Sequence, residues 1–353
     1  MLAWHWRLAG YGPPLPRDSS GTGRGLSYRD AGVDLDASEV LHGLASRLLA
    51  GRREAYTSSI ELHGRELVLH VDGVGTKTLV LERLGRLRVA GWDCVVMNTN
   101  DVACDAARPV ALVDYIAMPR ADEHVFREIL EGVREAAEAT GALLLGGETA
   151  ILPGLAQGVD VVCTVLALRE PGWRGNRVRP GDVLVGLESN GLHANGYSLA
   201  RRIALERLGG YNVVVDGLDL AEELAKPVRD YTGFLLEAWS RGLLTAAAHI
   251  TGGAFTKMRR ILPQGAAAVM EMPEPPRVFQ VLVEAGGVEP SEAYRVWNMG
   301  VGLVVATPRD SLDELLSLAK RHGHRAHVLG RVEQAGAAEP RIILDTVYGR
   351  ITY

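Results

Sequence analysis

The stretch ELVLHVDGVGTK, residues 66–77, sets the reading of this chain. Its first six residues are a strand-like apolar run, and it passes straight into a glycine-bearing turn that begins on Asp72 and ends on Lys77. Gly73, Gly75, Thr76 and Lys77 resemble a phosphate loop only superficially. The pattern GxxxxGK[ST] is not met, because Thr76 separates Gly75 from Lys77. The turn therefore reads as a ligand-facing strand end of another kind, with Asp72 available to a metal and Lys77 to a phosphate.

Working outward, the same pattern of apolar run and then acid recurs. DCVVM (93–97) reads as a short strand followed by Asn98, Thr99, Asn100 and Asp101, and residues 143–145 read as a strand ending in Gly146, Gly147, Glu148 and Thr149. Between them, Phe126, Ile129, Leu130, Val133 and Ala137 fall at helical spacing over 122–140, with Asp122 as N-cap and Gly141 as stop. Residues 159–168 form a further β-rich run. Any one acid alone reads equally well as a cap or turn residue. Taken together, Asp72, Asp101 and Glu148 at three strand ends are expected to converge on one cleft and hold Mg²⁺ beside nucleotide phosphates.

Composition breaks at REPGWRGNRVRP (169–180), the expected linker between two domains. Beyond it come a strand (182–187), a loop SNGLHANG (189–196) and a helix (197–208). Later segments are HITGG (249–253) before a helix-like run (254–261), strands at 301–306 and 341–344, and a helix at 311–321. The fold class is α/β or α+β. Ser189, Gly191, His193 and Asn195 in the first loop, and Gly252 and Gly253 in the second, offer backbone cradles for an anion at helix starts. His193 is the candidate for proton transfer, while His322, His324 and His327 read as solvated.

A chain of 353 residues with 47% hydrophobic and 23% charged content supports two cores. A net charge of −5 gives no broad attraction for nucleic acid or an anionic membrane. No apolar run approaches a membrane span, and three scattered cysteines signal neither a disulfide framework nor a zinc site, which fits a cytoplasmic protein. Residues 1–27 read as a loose N-terminal arm.

In order and spacing, the blocks YRDAGVD (28–34), 72–77, 98–101, 146–150, 189–201, 249–253 and WNMGVG (297–302) together resemble the phosphoribosylformylglycinamidine cyclo-ligases, the aminoimidazole ribonucleotide synthetases of PurM-like fold. The resemblance covers nearly the whole chain. It implies an N-terminal ATP-binding domain (28–168) whose sheet pairs in a homodimer, and a C-terminal α/β domain (169–353). It also implies ATP-dependent closure of the imidazole ring of formylglycinamidine ribonucleotide, with Mg²⁺ and with release of ADP and phosphate. By that resemblance Asp101, His193 and Lys77 are expected to be catalytic. Asp72, Gly73, Gly75, Thr76, Lys77, Asn100, Gly147, Glu148 and Thr149 would hold ATP, and Asp72, Asp101 and Glu148 the metal. Ser189, Gly191, His193, Asn195, Gly252 and Gly253 would hold the ribonucleotide.

Three positions depart from the family pattern. Residues 56–59 (YTSS) stand where a glycine-rich, Phe-containing loop is usual, Arg29 where lysine is common, and Ile151 where an acid is frequent. Related synthetases for selenophosphate and hydrogenase-maturation dehydratases need an early or C-terminal reactive Cys, which is missing here. Thiamine-phosphate kinase leaves the 189–196 and 298–302 blocks unexplained, and formylglycinamidine ribonucleotide synthase commonly carries different substrate loops. A catalytically silent nucleotide-binding homologue would hold ATP without substrate-dependent ADP release.

Overall fold

The computed structural model describes residues 25–48, 52–53, 56–336 and 339–353. Most of the arm expected over 1–27 lies outside them. Its last three residues are packed rather than loose: Leu26 is buried among C-terminal core side chains and its N–H donates to Gly286 O at 2.8 Å.

The N-terminal half is one mixed sheet under two helices. After α1 (Leu35–Leu48) come β1 (Arg52–Arg53), β2 (Ser58–Leu62), β3 (Arg65–Gly73), α2 (Lys77–Leu84), α3 (Arg88–Cys104), β4 (Ala107–Met118), α4 (Glu123–Thr140), β5 (Leu143–Ile151) and β6 (Asp160–Arg169). The strand order is β1-β2-β3-β6-β4-β5, parallel only between β4 and β5, which α4 connects. α4 begins at the expected cap, Asp122 accepting from Val125 N, and ends on left-handed Gly141. It crosses α3 so closely that a Cβ on Gly91 would lie 2.0 Å from Ile129 O, and one on Gly132 1.9 Å from Arg88 O.

DCVVM is not a strand. Residues 93–97 lie inside α3, of whose 17 residues 14 are buried. α3 is packed between the sheet, α4 and the C-terminal half, so it is apolar on nearly every side and its sequence carries no helical stripe. GGET likewise does not end a strand but lies inside β5.

The C-terminal half comprises β7 (Val183–Glu188), α5 (Tyr197–Arg207), β8 (Val214–Val215), β9 (Leu218–Asp219), α6 (Leu220–Leu224), α7 (Thr232–Ser240), β10 (Ala246–His249), a 3₁₀ helix (Ala254–Arg260), β11 (Ala266–Glu271), α8 (Arg277–Gly286), α9 (Pro290–Val296), β12 (Val301–Thr307), α10 (Leu312–Arg321), β13 (Ala326–Gln334), β14 (Arg341–Thr346) and β15 (Gly349–Thr352). Seven strands form one sheet, β10-β12-β7-β13-β11-β14-β15. Both of its faces are covered, which explains the unbroken apolar burial of β12. No described helix is long and apolar enough to cross a membrane.

Candidate active site

β3 and α3 deliver the acids. His70 and Asp72 lie two residues apart on the inner face of β3, and Asp101 comes from the last turns of α3. Asn98, one turn before Asp101, orients the group. Its Nδ2 donates to Asp72 O (3.2 Å) and Cys94 O (2.8 Å), so its Oδ1 accepts from His70 Nδ1 at 2.8 Å. His70 Nε2 then lies 3.5 Å from Asp101 Oδ2.

β10 supplies the partner from the other half. His249, fully buried, holds Asp101 Oδ1 through Nδ1 at 2.7 Å, while its buried Nε2 has no partner among the described residues. Tyr56 OH donates to His249 O at 3.1 Å, and the Tyr56 and Thr57 amides donate to Asp105 Oδ2, pinning the 56–59 stretch against the site. Lys257, on the 3₁₀ helix, donates to Thr251 Oγ1 and lies 5.9 Å from the centre of the Tyr56 ring. Sequence reading passed over Lys257 and His70. The signal available was weak: a lysine four residues after Gly253, and a histidine alternating with Asp72.

The two glycine loops are neighbours in space. A Cβ on Gly252 would sit 3.3 Å from Asn195 Oδ1, so 189–196 and 251–253 face each other. The first loop is shaped by the 297–302 block. Asn298 accepts from Ser189 Oγ (2.9 Å) and donates to Gly191 O (3.0 Å), and Trp297 Nε1 donates to Gly196 O (3.2 Å). His193, at φ 61° and buried, accepts from Asn190 N through Nε2 at 3.1 Å. Its proton is therefore on Nδ1, which is buried and has no partner among the described residues. The His193 and His249 ring centres are 6.1 Å apart.

Several expected ligands are elsewhere. Lys77 is fully buried and its ammonium is committed to Asp93 Oδ2 (2.6 Å), His193 O (2.7 Å) and Lys226 O (2.6 Å), leaving no hydrogen for a phosphate. Asn100 is likewise consumed, donating to Arg229 O (2.9 Å) and accepting from Tyr231 N (2.7 Å). Thr76 Oγ1 bonds Ser198 Oγ at 3.1 Å. Lys77, Asn100 and Thr76 join the two halves rather than face the gap between them. Gly73 and Gly75 remain beside Asp72, Gly75 at φ 65° with open space around it.

Glu148 does not join Asp72 and Asp101. Asp72, Cys163, Asp114 and Gly147 are successive register partners on the inner face, whereas Glu148 pairs with Tyr115 on the outer face. Three strand spacings, about 14 Å, separate it from Asp72, too far to share one ion. Gly147 and Thr149 on that edge are also exposed, and a Cβ on Gly147 would meet Asp114 Oδ1 at 2.3 Å. Among the described residues no group of three acidic, His or Cys side chains is set to hold a metal. His324 is not a solvated residue either. Burial, with Arg229 and His322 nearby, brings its pKa down to about 4.

The charged groups of the site shift one another's titration. Burial raises the Asp72 carboxyl, and the charge of Asp101 adds to that. Burial alone would also raise Asp101, but the His249 hydrogen bond and the charges of His249, His70 and Lys257 outweigh it and hold it below the ordinary carboxylate range. Burial lowers the Lys257 ammonium, against the pull of Asp101 and Asp72. Among the described residues no N–O ion pair within 4.0 Å joins Lys257 to either carboxylate, although the charges act on one another. His193, desolvated and near His249, Lys77 and Arg229, is held neutral well below its usual pKa.

Residues 179–343 match the AIR synthase related protein, C-terminal domain, and 55–168 the AIR synthase related protein, N-terminal domain. The chain is 37% identical over 311 residues to the phosphoribosylformylglycinamidine cyclo-ligase of Sulfurisphaera tokodaii, covering 87% of this chain and 94% of that protein. It is 36% identical over 312 residues to that of Saccharolobus solfataricus, covering 86% and 93%. Among solved structures, AaThiL complexed with AMPPCP and TMP shares the fold at a TM-score of 0.61 and 17% identity, covering 86% of this chain and 92% of that one.

Proposed function

We infer the working parts of this enzyme from one premise: the chain belongs to the phosphoribosylformylglycinamidine cyclo-ligase family. It is an ATP-dependent ligase of purine biosynthesis that cyclises formylglycinamidine ribonucleotide to 5-aminoimidazole ribonucleotide and releases ADP and phosphate. The halves divide the work, with residues to 168 holding ATP and residues from 169 closing over the ribonucleotide.

The observation that carries the assignment of parts is the meeting of Asp72, Asp101 and Lys257 with both glycine loops at the seam between the two sheets. An amide oxygen leaves poorly, so the γ-phosphoryl group moves to the formyl oxygen, forming an O–P bond as the bond to ADP breaks. The amidine nitrogen then attacks the activated carbon, phosphate departs with the former formyl oxygen, and the nitrogen loses a proton. Lys257, rather than Lys77, lies where it offsets phosphoryl charge, and the backbone around Gly73, Gly75, Gly252 and Gly253 can approach the substrates closely. His249, with Nδ1 held by Asp101, presents a bare Nε2 as proton acceptor, and neutral His193 offers Nδ1–H as donor.

Asp72 and Asp101 fit Mg²⁺. They are hard oxygen donors near enough to repel one another; Oδ1 of Asp72 accepts from Gly73 N and Oδ1 of Asp101 is held by His249, while Oδ2 of Asp101 lies 3.5 Å from His70 Nε2. Bound there, the ion would neutralise phosphate charge. Homodimer formation is supported by the outer face of the N-terminal sheet, which no described element covers. Leu69 and Val71 on β3 are 63% and 61% exposed, with Ile60, Val113 and Tyr115 beside them. Three free, buried cysteines suit a reducing cytoplasm.

The deciding experiment measures ADP release with ATP and Mg²⁺, with and without formylglycinamidine ribonucleotide, alongside detection of aminoimidazole ribonucleotide. Product formed in step with ADP is expected. Nucleotide binding without product, where an established cyclo-ligase works, sinks the reading.

A further inference from the structure

Asp101 and Asp105 leave α3 about one helical turn apart, Asp101 in its last turn and Asp105 as the residue that closes it. Both reach the same histidine of the other half. Asp101 takes the ring of His249 at Nδ1. Asp105 takes its main chain, through Tyr56. Asp105 Oδ2 accepts from Tyr56 N (2.9 Å), Thr57 N (2.8 Å) and Thr57 Oγ1 (3.0 Å), and Tyr56 OH donates to His249 O at 3.1 Å. His249 is the last residue of β10, and its carbonyl also accepts from Thr251 N at 3.1 Å. Thr251 Oγ1 in turn accepts from Lys257, whose ammonium lies 5.9 Å from the centre of the Tyr56 ring. Tyr56 is thus seated against the turn that carries His249 at one end and holds Lys257 at the other.

The Asp105 carboxylate is spent on this hold. It is fully buried, and burial pushes its pKa up to about 6, against the Tyr56 and Thr57 hydrogen bonds and the charge of Arg169. Its other oxygen, Oδ1, has no hydrogen-bond partner among the described residues, so the grip falls on residues 56 and 57. Arg169, at the end of β6, braces the same point: it donates to Asp105 O and to Thr57 Oγ1 (3.2 Å), meets Glu66 at 2.9 Å and lies 4.5 Å from the centre of the Trp173 ring. The Thr57 hydroxyl therefore accepts from a guanidinium and donates to a carboxylate, an arrangement that fixes its direction. A carboxylate kept in a dry place is costly unless donors meet it, and the donors here come from the stretch that reaches His249.

We propose that Asp105 is a positioning residue for ring closure: by holding Tyr56 on the His249 carbonyl, it fixes the turn that presents the His249 imidazole and the Lys257 ammonium to the reacting atoms. Sealed from solvent, Asp105 acts through Tyr56 and across the seam between the two halves. A displacement of about 1 Å in the groups it holds is enough to cost on the order of a hundredfold in rate. The stretch 56–59, where the chain departs from the family pattern, thereby gains a use particular to this chain. The parts played by His249 and Lys257 rest on the cyclo-ligase reading; the coupling of Asp105 to residues 249–257 does not.

The test compares wild type with Asp105→Leu, Asp105→Asn, Tyr56→Phe and the double variant of Asp105→Leu with Tyr56→Phe. Steady-state kinetics with ATP and the ribonucleotide is measured beside amide hydrogen exchange of peptides covering 249–257. Asp105→Leu is expected to lower kcat about 30-fold and Tyr56→Phe about 10-fold, with KM for both substrates within about threefold. Asp105→Asn, which keeps an acceptor where Oδ2 stands, should recover most of kcat. The double variant should lose little more than Asp105→Leu alone, rather than the roughly 300-fold product of independent effects. Exchange over 249–257 should quicken in Asp105→Leu and in Tyr56→Phe alike. If Asp105→Leu melts early, Asp105→Ser takes its place in the cycle, and Tyr56→Phe, which removes one hydroxyl, carries both readouts. Full kcat in Tyr56→Phe, effects that multiply in the double variant, or unchanged exchange over 249–257 overturns the proposal. Quickened exchange in the variants of an enzyme that forms no product from the ribonucleotide would leave the Asp105 coupling standing and overturn the cyclo-ligase reading instead.

Discussion

Lys77 Nζ lies 2.6 Å from Asp93 Oδ2 at a point where both side chains are fully excluded from solvent, and the same ammonium holds the carbonyl of His193 at 2.7 Å. The lysine of the glycine turn thus fixes the strained residue of the loop opposite. Lys77→Met should leave Asp93 charged and unpaired, lowering stability by about 3–5 kcal/mol in chemical denaturation. A variant that melts like wild type but no longer binds ATP would return Lys77 to the phosphate.

Lys257 should behave in the opposite way. It is half-buried and makes one hydrogen bond, so Lys257→Met is expected to change the melting temperature little. Its kcat should fall on the order of a hundredfold as a charge facing the phosphoryl group is lost. Partial recovery in Lys257→Arg, read from kcat against KM for ATP, checks that the effect is electrostatic.

Asp101→Asn keeps the shape of the side chain and removes its charge. The Mg²⁺ concentration for half-maximal turnover should rise and kcat fall by on the order of a hundredfold, while far-ultraviolet circular dichroism stays unchanged. Turnover at limiting Mg²⁺ equal to wild type would remove Asp101 from the metal.

His324 supplies a pH signature. Its folded pKa of about 4 lies below the ordinary value of 6.5, so the unfolded chain binds more protons between them. The stability it contributes is complete above about pH 6.5 and is lost as the pH falls toward 4. Urea melts of wild type and His324→Asn should therefore diverge over that window, wild type having the steeper loss on acidification, and parallel curves would contradict a neutral His324.

Leu69→Glu places a charge on the open face of the N-terminal sheet, opposite the face that carries His70 and Asp72. Sedimentation velocity should show wild type as a dimer and the variant shifted to monomer. A wild-type monomer at micromolar concentration would mean that this face has another use.

Much of the architecture was legible because local pattern and local structure agreed. α4 carries a helical stripe between Asp122 and Gly141, and β6 falls on the β-rich run read over 159–168. α3 was misread because burial on all sides erases the stripe that distinguishes a helix from a strand. Asp72 and the two glycine loops were singled out on chemistry carried within a few residues. The family, too, was written in the order of short blocks, since each block preserves a turn or a donor whose purpose is local.

What each side chain touches was decided by tertiary structure. Lys77 meets a carbonyl 116 residues away, Asn100 an amide 131 away, and Asp101 an imidazole 148 away. Whether a lysine faces a phosphate or a buried carboxylate depends on such distant partners, and nothing in GVGTK distinguishes the two. Register, not sequence, turned Glu148 to the outer face while Asp72 faced inward, since adjacent residues on a strand point to opposite sides. Lys257 carries no motif of its own. Its significance comes from the charged groups that folding gathers around it.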